Sequence, residues 1–294
     1  MAMEFPPPHI HAPQTTHTHT IILLHGRASD GPEFAEELFS SLTTKGTPLP
    51  DCLPSWRWVF PTSRDRWSAL FQEEMCSWFD AYSLTNIDER QELQIEGLQE
   101  SVSHILDLLE NEIRLLDGKA GNVFLGGISQ GMATALWTVF CAAERIPHQI
   151  GGLVGFCGWL PFANRLEELI AARSKEKEED ATSPTKTEIQ RLVSNFCLAT
   201  IDSAHAPPTI QENNSSDSGR AVPILTTPVL LGHGTDDVWV PVELGQQAFR
   251  VVQQVMWPVE WQEYTGAEGE GHWIKEPEGF DHILRFLKSR SIGG

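Results

Sequence analysis

The feature that most restricts this chain is the pentapeptide Gly127-Ile128-Ser129-Gln130-Gly131, set between the apolar run Val123-Phe124-Leu125 and the helix-like stretch Met132 to Ala143. A strand that turns into a helix within so few residues forces the serine into an awkward backbone conformation. Glycines two positions to either side remove side chains that would collide with the turn. The hydroxyl then stands clear of a sheet edge. The pattern therefore asks for a strand-turn-helix unit, and with it a sheet that helices cover.

The remainder of the chain can build that sheet. Apolar strand-like runs at Ile21 to Leu24, Trp58 to Phe60, Val123 to Leu125, Leu153 to Phe156, Val229 to Leu231 and Val259 to Tyr264 are separated by helical stretches. The helical candidates are Glu33 to Thr43, a long one within Glu89 to Leu116, Gln130 to Ala143, Val242 to Val255 and Glu278 to Ser289. Such alternation predicts an α/β fold with a mostly parallel central sheet and helices on both faces. No internal repeat is visible. The length of 294 residues admits one large or two small domains, and the spread of the motifs favours one, over residues 20–290. A flexible N-terminal leader, residues 1–19, and a partly disordered insertion at about 173–221 complete the expected organisation.

A serine hydroxyl is a poor nucleophile at neutral pH. It needs a base to take its proton, and the base needs a carboxylate to fix its tautomer and stabilise its charged form. The chain order serine, acid, histidine is that of the α/β-hydrolase fold. Leu230-Leu231-Gly232-His233-Gly234-Thr235-Asp236-Asp237 reads as a strand end running into a loop with two aspartates, and Gly269-Glu270-Gly271-His272-Trp273 places a histidine in a glycine-rich loop after the last strand. Adjacent loop side chains point in different directions, so only one of Asp236 and Asp237 can serve the histidine. His282 is the rival base, but Phe280, Ile283, Leu284 and Leu287 recur around it at helical spacing, which makes it a surface helix histidine. His25 and His233, each before a glycine at a strand end, read as loop-shaping residues.

Acyl transfer also builds negative charge on a carbonyl oxygen, which prearranged donors must meet. In this fold one donor is the backbone N–H after the nucleophile, here Gln130. The other comes from an early strand-to-helix loop, which nominates the N–H of Arg27 within Leu24-His25-Gly26-Arg27-Ala28.

With these residues in hand the chain resembles the acyl-protein thioesterase family, also described as the phospholipase/carboxylesterase family of small α/β-hydrolases. The matching stretches are Leu24-His25-Gly26 with Asp30-Gly31, Trp78-Phe79-Asp80, Leu125 to Gly131, Gly158-Trp159-Leu160-Pro161, and His233-Gly234 with Asp237 and Val240-Pro241. They cover roughly residues 20–170 and 222–290. The resemblance implies Ser129 as nucleophile, His272 as general base and Asp237 as orienting acid. It implies a serine hydrolase that cleaves esters or thioesters of fatty acids, including palmitoyl groups on protein cysteines and lysophospholipids. A small-molecule carboxylesterase is the alternative, and a catalytically silent binding module a third reading. Three departures bear on the pocket: Arg27 after His25-Gly26, the enlarged histidine loop at residues 267–271, and the insertion.

The insertion opens with the mixed-charge run Arg173 to Asp180 and ends in Pro207-Pro208 and the polar stretch Asn213 to Gly219. Both ends read as solvated and flexible. Between them Ile189, Leu192, Val193, Phe196 and Cys197 recur as one apolar helix face. That helix is expected either as a partial lid beside the acyl groove or as a satellite packed away from it. Trp78, Trp159, Trp239 and Trp273 adjoin motif residues and are candidates for pocket lining; tryptophan is equally an ordinary core filler.

A net charge of −19 argues against nucleic acid as partner and against electrostatic attachment to anionic membranes. Pro6-Pro7-Pro8 interrupts the start of the chain where a secretory signal needs an apolar core, and no apolar run reaches membrane-spanning length. Cys52, Cys76, Cys141, Cys157 and Cys197 lack paired spacing and read as buried thiols in a reducing compartment. The expectation is a cytoplasmic protein without stable membrane insertion, a monomer or weak dimer, acting on an acylated protein or a small ester. His9, His11, His17 and His19 read as part of the polar leader, and the mechanism needs no metal or cofactor.

Overall fold

The computed structural model describes residues 4–179, 183–202 and 222–290. Among the described residues there are nine strands: β1 (His9–His11), β2 (His19–Leu24), β3 (Trp56–Phe60), β4 (Arg64–Ser68), β5 (Glu73–Ser77), β6 (Val123–Ile128), β7 (Gly152–Phe156), β8 (Val229–Gly234) and β9 (Val259–Tyr264). The α-helices are α1 (Gly31–Ser40), α2 (Leu49–Cys52), α3 (Gln94–Leu115), α4 (Gln130–Cys141), α5 (Ala163–Glu179), α6 (Lys186–Asp202), α7 (Val242–Val255) and α8 (Glu278–Arg290). Seven strands form one sheet in the order β1-β3-β2-β6-β7-β8-β9, while β4 and β5 make a separate hairpin. Every pairing in the large sheet is parallel except β1 with β3.

Both faces of the sheet are covered, which the near-continuous apolar character of its central strands requires. Alternation along β2 divides its side chains between two cores. Ile22 and Leu24 pack under α3, α4 and α7, whereas Ile21 and Leu23 pack under α1 and α8. The helix after the pentapeptide, α4, is buried along its whole length, so no polar stripe is needed and its sequence is apolar all round. Asp30 caps α1 by accepting a hydrogen bond from the Glu33 N–H at 2.8 Å.

Two expectations need correction, and one open alternative is decided. The leader is not flexible throughout: His9–His11 pairs with β3 as an edge strand, and Phe5 stacks on His104 with ring centroids 4.0 Å apart. Alternation across only three residues is too short a pattern to read as a strand. The charged run at the start of the insertion continues α5 to Glu179 rather than forming a loop, because Arg173 and Lys177 pair with Glu188 of α6 at 3.2 and 3.1 Å. The helix expected within the insertion is α6, and of its two expected placements it takes the satellite one, packed away from the site. Ile189, Val193, Phe196 and Cys197 are buried against α3, α4, α5 and α7, and none of them reaches the cavity described below. The polar stretch expected to be disordered, including Pro207-Pro208 and Asn213 to Gly219, lies outside the described residues.

Candidate active site

The carboxyl ends of β2, β6, β8 and β9, where ligands of open α/β sheets usually sit, bring four loops together. Ser129 follows β6 with φ 55° and ψ −123°, a strained conformation for a residue with a side chain. The glycines around it are needed for space. A Cβ on Gly127 would stand 2.6 Å from the carbonyl carbon of Gly131, and one on Gly131 would collide with the Leu24 carbonyl oxygen. Gly26, at the end of β2, lets that loop approach the serine, leaving 3.4 Å between its virtual Cβ and the Ser129 Cβ.

The β2 loop is held by His25. Its Nε2 accepts from the Ser63 N–H at 3.0 Å, so the ring hydrogen lies on Nδ1, which donates to the Gly26 carbonyl at 2.6 Å. Burial pushes this imidazole down to about 4, partly offset by the Gly26 carbonyl and Asp30. His25 is therefore a brace for the loop carrying Arg27. The Arg27 side chain turns away to the Ala81 carbonyl and stacks over Phe71. Gln130, first in α4, has an N–H with no partner inside the helix, as every helix start does. Its side-chain amide bridges Trp78 N–H at 2.8 Å and the Phe79 carbonyl at 2.6 Å, which ties the serine turn to the segment after the hairpin.

The two aspartates part as neighbouring loop residues must. Asp236 accepts from the Gly266 N–H at 2.8 Å. Asp237, its side chain without exposed surface, accepts from His272 Nδ1 at 2.6 Å. Its other oxygen takes the N–H groups of Trp239 and Val240, each at 2.9 Å. Burial pushes the Asp237 carboxyl up, but hydrogen bonds from His233, His272 and Val240, with the charge of His272, outweigh it and hold the group well below the usual carboxylate range. His233 Nε2 donates to the Val240 carbonyl at 2.9 Å and lies 3.3 Å from Asp237, so it buttresses the acid. Gly234 and Gly271 press the two loops together: a Cβ on Gly271 would stand 2.6 Å from the Asp236 backbone. His282 sits apart on α8, bonded to the Tyr264 hydroxyl at 2.9 Å.

Ser129 and His272 line one cavity of about 680 Å³, with Gly26, Arg27, Phe34, Phe71, Met75, Leu84, Ile128, Trp239 and Trp273 among its walls. Of the four tryptophans expected there, Trp239 and Trp273 are present. Trp78 and Trp159 are not: Trp78 is fully buried with its Nε1 donating to the His25 carbonyl, and Trp159 packs edge-on to Phe79 behind the site. Four contributors escape a reading of the sequence. Phe34 of α1 and the hairpin residues Phe71 and Met75 carry no local motif. Cys157, beside the Gly158 to Pro161 stretch, lies with its sulfur among the side-chain ligand atoms of Asp237 and His272. All five cysteines are free, and Cys52 and Cys76 are only half-buried rather than buried.

Known proteins bear out the architecture. The crystal structure of Zea mays acyl-protein thioesterase 2 superposes with a TM-score of 0.63 at 24% identity, covering 98% of this chain and 100% of that one. A probable carboxylesterase, SOBER1-like, of Arabidopsis thaliana is 26% identical over 279 residues, 92% of this chain and 78% of that protein. Acyl-protein thioesterase 1 of Schizosaccharomyces pombe is 25% identical over 165 residues, 56% of this chain, and the match spans 66% of that protein's length. Residues 6–180 match the Phospholipase/Carboxylesterase family, and this chain belongs to it.

Proposed function

We propose that the protein is a serine hydrolase that cleaves carboxylic esters or thioesters of acyl chains through a covalent acyl-enzyme. The observation that carries this reading is the 2.6 Å contact of Asp237 with His272 Nδ1 in the wall of a cavity that Ser129 also lines. With the hydrogen on Nδ1, the uncharged ring keeps a lone pair on Nε2 to accept the serine proton. Ser129 attacks the carbonyl, and His272 takes the proton and returns it to the leaving group. The backbone N–H groups of Gln130 and Arg27 meet the oxyanion, each worth about 3 kcal/mol of transition-state stabilisation. Water activated by the same histidine then releases the acid.

The substrate reading is an acylated protein, as for acyl-protein thioesterases, or a lysophospholipid. The apolar walls at Phe34, Phe71, Met75, Leu84, Trp239 and Trp273 favour an acyl chain. A small-molecule carboxylesterase is the second reading, favoured by the Arabidopsis relative that matches most of the chain. A cytoplasmic setting fits the free cysteines. Among the described residues no helix is long and apolar enough to cross a membrane. Labelling with a fluorophosphonate, with Ser129→Ala as control, tests the chemistry. Competition by acetyl, octanoyl and palmitoyl thioesters tests the chain preference. Equal labelling of wild type and Ser129→Ala would defeat the mechanism, and best protection by acetyl would select the small-ester reading.

A further inference from the structure

Cys157 follows β7 in a left-handed conformation, φ 51°, with its N–H bonded to the Gly232 carbonyl at 2.9 Å. Its thiol donates weakly to the Trp273 carbonyl at 3.6 Å, and the hydrolytic chemistry has no use for it. Yet its sulfur, a carboxylate oxygen of Asp237 and a ring nitrogen of His272 all lie within 4.8 Å of one another. Among the described residues no other group of three such side chains comes together in this way. We propose that Cys157, Asp237 and His272 form an inhibitory site for zinc, which binds across the acid-base pair and switches it off.

The donor set is one that zinc favours, sulfur with imidazole and carboxylate, and the thiolate disfavours magnesium and calcium. With Zn–S near 2.3 Å and Zn–N and Zn–O near 2.0 Å, tetrahedral ligand atoms stand roughly 3.3–3.6 Å apart. The Cys157 sulfur therefore needs to close in by up to roughly 1.5 Å, while the Asp237–His272 pair, now 2.6 Å apart, needs to open by about 0.7 Å. Cys157 and Asp237 are fixed by backbone hydrogen bonds, and His272, one-fifth exposed, opens the way in from the cavity. A solvent molecule would take the fourth position. Burial pushes the Cys157 thiol up to about 12, so without metal it stays protonated and leaves the pair undisturbed.

The proton balance explains the inhibition. Zinc takes the thiolate, and the thiol proton goes to solvent. Zinc also takes the Nδ1 lone pair, the Nδ1 hydrogen leaves, and Nε2 acquires one, so the imidazole remains uncharged and one proton is released in total. An Nε2 that carries hydrogen cannot accept the Ser129 proton. The binding claim stands on geometry alone; the inhibition rests on the hydrolase reading.

The full chain, stripped with chelator, is titrated with cobalt(II), whose thiolate charge-transfer absorption reports a Co–S bond, and then with zinc. The expected result is one cobalt per chain with that absorption, its loss on adding zinc, and its absence in Cys157→Ser but not in Cys76→Ser. Nitrophenyl ester hydrolysis should fall on zinc loading and return with chelator. Zinc should inhibit Cys157→Ser at least about tenfold more weakly, each variant measured against its own metal-free rate. Wild-type protein without the absorption at saturating cobalt overturns the proposal, whatever becomes of the variant. So does equal zinc sensitivity of an active Cys157→Ser. A protein that shows the absorption but never hydrolyses esters or labels at Ser129 would keep the metal site and remove the hydrolase reading instead.

Discussion

At the carboxyl ends of β2, β6 and β8, side chains are held by paired polar groups and a strained backbone, whereas the α5–α6 layer is held mainly by apolar surface. Ser129 at φ 55° and Asp237, with four donors around one buried carboxylate, represent the first kind. Phe196, buried against Phe162 with ring centroids 6.4 Å apart, represents the second. Polar geometry of that kind is directional and intolerant of displacement, while apolar packing tolerates many sequences of similar volume. Substitutions in the two regions should therefore fail in different observables: rate at the sheet edge, stability in the helical layer.

The sharpest separation comes from Ser129→Ala, which should lower turnover by about a millionfold with little change in melting temperature. Residual turnover within a hundredfold of wild type would break the comparison. Next, Asp237→Asn should cost on the order of ten-thousandfold in kcat, because the amide favours the wrong histidine tautomer. Asp236→Asn, which weakens only the contact with the Gly266 N–H, serves as its neighbour control and should leave the rate within a few-fold of wild type. In the helical layer Phe196→Ala should destabilise the fold by about 3–5 kcal/mol in urea titrations. Its kcat below the unfolding transition should stay unchanged, and a large fall in kcat would show that α6 is coupled to the site.

The smallest effect is one of stability at the sheet edge. His25 resists protonation until about pH 4 in the folded protein, against 6.5 in the unfolded chain. Between these values the unfolded state binds more protons. The contribution is thus fully present above about pH 6.5, falls as the pH drops towards 4 and is gone below it, amounting to about 3 kcal/mol. Urea midpoints measured across this window should drop less steeply in His25→Asn than in wild type. Parallel curves would show that the imidazole is not buried in the uncharged form.

The same contrast explains what could be read in advance. The central strands were visible because burial on both faces demands unbroken apolar runs. The serine turn was visible because Gly127 and Gly131 answer a local steric need. The meeting of Asp237 with His272 needed only chain order and two loops. The approach of Cys157 was invisible, since it depends on how β7 registers with β8 and no spacing records that. The hairpin of β4 and β5 was missed because Arg64-Asp65-Arg66-Trp67-Ser68 alternates charge against little apolar surface, with Trp67 55% exposed. The place of α6 could not be decided from its apolar face, which says that something is buried but not against what.

The short strand β1 has a consequence for how this protein behaves at high concentration. It sits beside β3, whose residues Trp56, Trp58, Val59 and Phe60 would make an adhesive outer margin if bare. At the opposite margin, β9 carries Glu260 and Glu263, charges that discourage another chain from adding on. His9–His11 thus covers the backbone edge that β3 would otherwise present. A chain lacking residues 1–12 should scatter light as growing assemblies where the full chain stays clear, and a clear truncated solution would mean that β3 needs no cover.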